Sequence, residues 1–186
     1  LLNEELCYIT FMKSLSLSII GVFFLFSCAE NDSYSSRLLN ANSESESWLL
    51  HGRTYDESRF SPLTDINDLN VGELGLSWSF ETGTNRGHET TPIVVDGTMF
   101  ITAPWSIVFA LDAKTGEPIW SFDPEADKAW ARNACCDVVN RGVAVWGNQV
   151  IFATIDGRLI SLDKGSGNVN WDVLTIDKSK PYTMTG

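Results

Sequence analysis

From residue 93 onward the chain runs in short apolar stretches, β-branched or aromatic, each closed by Gly, Asp or Asn. Such punctuation predicts strands joined by tight turns. One stretch around Val94 leads through Asp96-Gly97 into a strand at 98–102, and a second around Val145 leads through Gly147-Asn148 into a strand at 149–154. In each case a third strand ends in Leu-Asp, and a glycine turn then leads to a tryptophan. Upstream the pattern changes. Residues 15–26 (LSLSIIGVFFLF) are apolar and uncharged, too short for a bilayer core that needs about 20 apolar residues. Residues 29–47 hold six serines and no apolar periodicity, so they read as a solvated, disordered tether.

The two strand groups are copies of one plan. Leu111/Leu162, Asp112/Asp163, Gly116/Gly167 and Trp120/Trp171 all superpose at an offset of 51 residues. Asp supplies a side-chain acceptor for the turn, and Gly tolerates the positive φ that ends it. An earlier copy ends at Trp78, 42 residues before Trp120. Four short strands per roughly 40–50 residues is the arithmetic of a β-propeller blade. The expectation is an all-β chain of about three blades, with Trp78, Trp120 and Trp171 packing between blades and Asp112 and Asp163 serving turns.

Composition narrows the function. With 186 residues, 44% of them hydrophobic, the chain buries a real core. Thirteen basic against 24 acidic residues leave a net charge of −11, which argues against nucleic acid as the partner. Four cysteines are too few for a disulfide scaffold and lack paired CxxC spacing. The sequence contains no GxGxxG, no Walker-type GK[ST] and no HExxH, so nucleotide and zinc-protease chemistry have no support. His51 and His88 have no ligand-like spacing.

Met12-Lys13 precedes the apolar run, and Leu25-Phe26-Ser27-Cys28 follows it. That box resembles the bacterial lipoprotein cleavage site, which implies acylation of Cys28 and attachment to a membrane from the periplasm. The division expected is an upstream extension at 1–11, a lipoprotein-type signal at 12–27, a tether at 28–47 and the propeller portion at 48–186. Export permits neighbouring thiols to persist as a disulfide.

Three further segments carry a family resemblance. Residues 48–78 contain Gly52-Arg-Thr-Tyr-Asp-Glu-Ser-Arg-Phe-Ser-Pro62; residues 87–97 read Gly-His-Glu-Thr-Thr-Pro-Ile-Val-Val-Asp-Gly; and Cys135-Cys136-Asp-Val-Val-Asn-Arg-Gly142 closes the set. With the Trp repeat, these resemble the eight-bladed quinoprotein propellers of the pyrroloquinoline quinone (PQQ)-dependent alcohol and methanol dehydrogenases. The resemblance spans 48–186. It implies that Cys135 and Cys136 form a vicinal disulfide lying flat on the quinone, and that Glu89 and Arg141 hydrogen-bond the cofactor. It implies also that Thr185 binds a cofactor carboxylate. These residue types suit the ligand: PQQ carries three carboxylates and an electrophilic ortho-quinone, which call for a cationic fork and hydroxyls. A ring of two sulfurs is compact, polarisable and free of reactive thiol.

The resemblance further implies oxidation of a primary alcohol and electron transfer to a cytochrome c. Ca²⁺ or a lanthanide would be the metal, its ligands and the catalytic Asp base lying beyond Gly186. Three blades do not close a ring, so a parent protein about three times longer is expected, and the chain alone should expose apolar edges and lack turnover. A non-catalytic propeller lipoprotein acting as an outer-membrane assembly scaffold accounts equally for the lipobox and the repeats. It gives no reason for Cys135, Cys136, Arg141 and Glu89.

Overall fold

The computed structural model describes residues 33–185. The upstream extension, the export signal and Cys28 lie outside the described residues.

Two four-stranded antiparallel sheets dominate, each a meander in chain order. The first holds β1 (Ile93–Val95), β2 (Thr98–Ala103), β3 (Ile107–Asp112) and β4 (Pro118–Phe122). The second holds β5 (Ala144–Trp146), β6 (Gln149–Ala153), β7 (Arg158–Asp163) and β8 (Val169–Leu174). Every strand of the second sheet starts 51 residues after its counterpart, so the sequence repeat is a repeat of blades. Each β3–β4 type turn is built on its aspartate. The Asp112 carboxylate accepts from the backbone N–H of Lys114 and Thr115 and from the Thr115 hydroxyl, at 2.8–3.0 Å. Asp163 does the same with Gly165 and Ser166. The donors of Thr115 and Ser166 hold these carboxyls below the usual carboxylate range.

The blades stack face to face. Phe100, Val108 and Ala110 of the first share one core with Val150, Phe152, Ile160 and Leu162 of the second. Trp120 and Phe122 of β4 fill the interval, their rings 5.8 and 6.1 Å from Phe100 and Phe152 respectively. Trp120 also docks on the next blade's turn, where a Cβ on Gly167 would lie 2.8 Å from its ring. Its indole N–H donates to the Lys164 carbonyl at 3.0 Å. The Trp78 ring likewise packs on Gly116. The inter-blade role expected for these two tryptophans is therefore present.

The third copy is present only through that docking residue. Residues 48–92 contribute no four-stranded sheet; their one β contact is the bridge between Trp48 and Val94. Much of this segment is exposed, including Phe60, Leu69 and Leu76 at 71%, 90% and 86%. Val173 and Leu174 of β8 are exposed too.

The expected tether at 28–47 is corrected over its described part. Residues 33–39 form a helix, and Tyr34, Leu38 and Ala41 are buried in the inter-blade core. Tyr34 and Leu38 stand at i and i+4 on one face of the helix, and Ala41 opens the short 3-10 turn Ala41–Ser43 that follows it, a pattern hidden in the sequence by the surrounding serines. The Arg37 guanidinium pairs with Glu44 at 2.7 Å and with Asp96 at 2.8 Å, and Asp96 also receives Lys164 at 3.1 Å. Tyr34 meets Trp146 edge-on. Arg53, 2% exposed, donates back to the Asn42 side chain and the Ala41 carbonyl. The segment is thus a strap across both blades. Among the described residues no helix is long and apolar enough to cross a membrane.

Candidate cofactor rim

The sheets have two ends. At one, the turns Asp96-Gly97 and Gly147-Asn148 sit beside the aspartate turns, joined by Ala113 N–H to Gly97 O and Lys164 N–H to Asn148 O at 2.9 Å each. The strap lies at this end, where it forms a hollow of about 780 Å³ with Asp96, Asp112 and Lys114. At the opposite end lie the segments that enter the first strands of the two sheets, β1 and β5, and these carry the residues singled out in the sequence.

Those segments are hydrogen-bonded in series. The Thr91 N–H donates to the Arg141 carbonyl at 3.0 Å, and the Arg141 N–H donates to the Thr185 carbonyl at 2.6 Å. Thr91 and Arg141 lie just ahead of β1 and β5, so the backbone ladder links the entries to the two blades and continues to Thr185. Gly142 is required here. Its φ is +128°, and a Cβ would lie 3.0 Å from the Thr91 carbonyl oxygen.

On this ladder the Arg141 side chain joins two expected partners. Its Nη1 donates to Thr185 Oγ1 at 2.9 Å, and its Nε stands 3.5 Å from Glu89 Oε2. Arg141 and Glu89 are 56% and 45% exposed, so neither is sealed from a ligand. Three of the five expected contact residues therefore converge. The other two, Cys135 and Cys136, lie on the loop leading to Arg141, exposed, with their sulfurs joined as a vicinal pair.

The loop is pinned by residues that pattern reading passed over. Val138, Val139 and Asn140 are buried. Asn140 donates through Nδ2 to Ser106 Oγ at 3.1 Å and to the Ala153 carbonyl at 2.8 Å, and its Oδ1 accepts from Gly142 N–H at 3.0 Å. Thr102 adds a hydroxyl contact to the Asn140 carbonyl and binds Thr90. Trp130 donates its indole N–H to the Tyr182 carbonyl at 2.7 Å, which ties down the approach to Thr185. An Asn next to an Arg-Gly pair was the available signal for Asn140; nothing in the local pattern marks Trp130. His88 hydrogen-bonds Thr82 and takes no part in the cluster.

The arrangement is an open rim, with a cationic fork, a hydroxyl and a carboxylate in contact and a disulfide on the same loop. Such a donor set suits a planar ligand bearing carboxylates and carbonyls. Among the described residues no group of three or more His, Cys, Asp or Glu could hold a metal ion.

The class of molecule these features define is a quinoprotein propeller. Residues 48–172 match the family described as PQQ: glucose/ethanol/alcohol dehydrogenase, beta-propeller domain, and the chain belongs to that family. Quinohemoprotein alcohol dehydrogenase ADH-IIG of Pseudomonas putida is 46% identical over 187 aligned positions, covering 95% of this chain and 26% of the relative. The structure of ADHIIG from P. putida HK5 superposes with a TM-score of 0.79 at 50% identity, covering 81% of this chain and 22% of that one. A 1-butanol dehydrogenase (cytochrome c) of Thauera butanivorans is 50% identical over 140 residues, 75% of this chain and 20% of the relative. A europium-containing methanol dehydrogenase superposes with a TM-score of 0.76 at 37% identity over 81% of this chain and 27% of that one. The chain thus spans roughly a quarter or less of these relatives' length.

Proposed function

We propose that this chain forms the N-terminal blades and one side of the cofactor rim of a PQQ-dependent dehydrogenase. The whole enzyme would oxidise primary alcohols to aldehydes in the periplasm. The observation that carries this reading is the Arg141 fork, which touches Glu89 and Thr185 where successive repeats meet. The relatives' names, an alcohol dehydrogenase and a 1-butanol dehydrogenase among them, support the substrate class.

The residues present fit the group. Arg141 offers a permanently charged planar fork to a quinone carbonyl, and the Thr185 hydroxyl donates to a carboxylate. Glu89 accepts from a ring N–H while its own charge is balanced by Arg141. The Cys135–Cys136 ring supplies a flat face without a nucleophilic thiol. PQQ, when bound, supplies the two-electron oxidising chemistry that no amino-acid side chain provides. The Ca²⁺ or lanthanide ligands and the Asp base are assigned to parts of the family that this chain does not span. The threefold parent length expected from the sequence falls short of the relatives, of which this chain covers only 26% and 20%.

A cytochrome c is the proposed electron acceptor. The name of the T. butanivorans relative supports it, and a net charge of −11 favours encounter with a basic partner. Cys28 is the proposed lipid attachment point. The test is to titrate the full-length gene product with PQQ and Ca²⁺ while following quinone absorbance, thermal midpoint and alcohol-dependent dye reduction. All three should respond for the parent protein. Absence of both binding and stabilisation would overturn the reading. Intact mass of the membrane-extracted protein tests acylation of Cys28 separately.

A further inference from the structure

Beside the cysteine pair the chain maintains a turn that its own backbone disfavours. Trp105 and Ser106 are successive non-glycine residues at φ of +68° and +61°, in the turn Pro104–Ser106 that links β2 to β3. Two L residues in a row in the left-handed region persist only where surrounding contacts hold them. Here the contacts come from the cysteine loop. The Trp105 N–H donates to the Val138 carbonyl at 2.9 Å, Ser106 Oγ accepts from Asn140, and the indole packs on Ala126, Val138 and Ile155.

The residue that directly follows the pair shows the same strain. Asp137 has φ of +74°, and its carboxylate is bound by the Arg86 guanidinium. Arg86 in turn stands 5.6 Å from the centre of the Trp105 ring, and the Lys128 ammonium stands 4.1 Å from it. An exposed ion pair by itself contributes little. This one is joined through the indole to a buried cluster, and it closes a circuit: Arg86 to Asp137, along the loop to Val138, across to Trp105 and back to Arg86.

We infer that Arg86, Trp105 and Asp137 form a brace that fixes the tilt and height of the Cys135–Cys136 ring toward the cofactor. They are positioning residues for the quinone site. The inference rests on the PQQ reading of the rim. A flat ring that stacks on a planar ligand must be held in attitude as well as in place. Asn140 anchors the far side of the loop and Ala134 and Val138 pack on the buried cluster, while the Arg86–Asp137 pair adds a polar side-chain tie at the residue next to the sulfurs.

The test uses the full-length protein carrying Arg86→Gln, Asp137→Asn, the double substitution, Trp105→Leu, and Arg86→Lys as the conservative rescue. Two quantities are read beside the thermal midpoint: thiol release by dithiothreitol in the absence of PQQ, and the dissociation constant for PQQ with Ca²⁺. The brace predicts that the Arg86→Gln and Asp137→Asn variants each speed thiol release and weaken PQQ binding about fivefold or more, with the double variant no worse than the poorer single one. Arg86→Lys should recover most of both, with little change in thermal midpoint. Unchanged release and affinity would overturn the brace, as would a fallen midpoint with neither quantity moved. If Trp105→Leu fails to fold, the Arg86 and Asp137 variants still decide. A wild-type protein that binds no PQQ refutes the rim reading, while thiol release still judges the brace. Two free thiols at 135 and 136 in the purified wild type would refute both.

Discussion

The indole of Trp120 lies against Gly167 of the following blade and donates its N–H to the Lys164 carbonyl at 3.0 Å. One side chain thus reads both the shape and the hydrogen-bonding of the neighbouring turn. Gly167 is at φ +73°, so alanine there meets backbone strain and the ring together. Gly167→Ala should cost about 2–4 kcal/mol in denaturant unfolding. Trp120→Phe keeps most of the packing and should cost about 1 kcal/mol for the lost hydrogen bond. Equal, small effects would show that the indole is not the docking element.

Asn140 is the second structural test. It is 1% exposed and engages Ser106, Ala153 and Gly142. Asn140→Ala leaves those partners without water, and the expected loss is about 2–4 kcal/mol. Calorimetry or denaturant unfolding checks it. A loss under 1 kcal/mol, on the same scale as an exposed substitution, would mean the loop is held by Val138 and Val139 alone.

Arg141→Lys keeps the charge and loses the fork that meets Glu89 and Thr185 together. PQQ affinity of the full-length protein should fall at least about tenfold, equivalent to roughly 1.4 kcal/mol. Affinity within a factor of two of wild type would show that charge alone suffices.

The strap should respond to pH from both sides. The Arg37 hydrogen bond holds the Asp96 and Glu44 carboxyls below their ordinary values. Their contribution is therefore present above the unfolded values of about 4, and it is lost as pH falls through the lower folded ones. Burial pushes the Tyr34 hydroxyl up to about 12. The contribution of the neutral hydroxyl is accordingly full below about pH 10 and is lost as pH rises through the folded value. Hydrogen exchange over 33–47, followed against pH, should show protection falling at both extremes. Tyr34→Phe should abolish the alkaline limb alone, and a flat profile would contradict the assignment.

The blades were legible because their turns use chemistry that recurs: Asp112 and Asp163 organise the loop, Gly116 and Gly167 end it, and a tryptophan follows at fixed spacing. The strap was not legible, because its apolar face has only Tyr34, Leu38 and Ala41 amid six serines. Trp78 announced a third blade and performs the docking part of one. The residues before it, however, lack the close-set β-branched runs that pair into a sheet. At the rim, Glu89, Arg141 and Thr185 came from motif matches and do meet in space. Asn140, Trp105 and Arg86 depend on partners 34, 33 and 51 residues away, and no local pattern reports such pairings.

The strap also sets a direction. Ser33 sits by Gly147, Asn148 and Lys164, at the end of the blades remote from Arg141. A label attached at Ser33 itself would therefore report on the strap without obstructing the Arg141, Glu89 and Thr185 cluster.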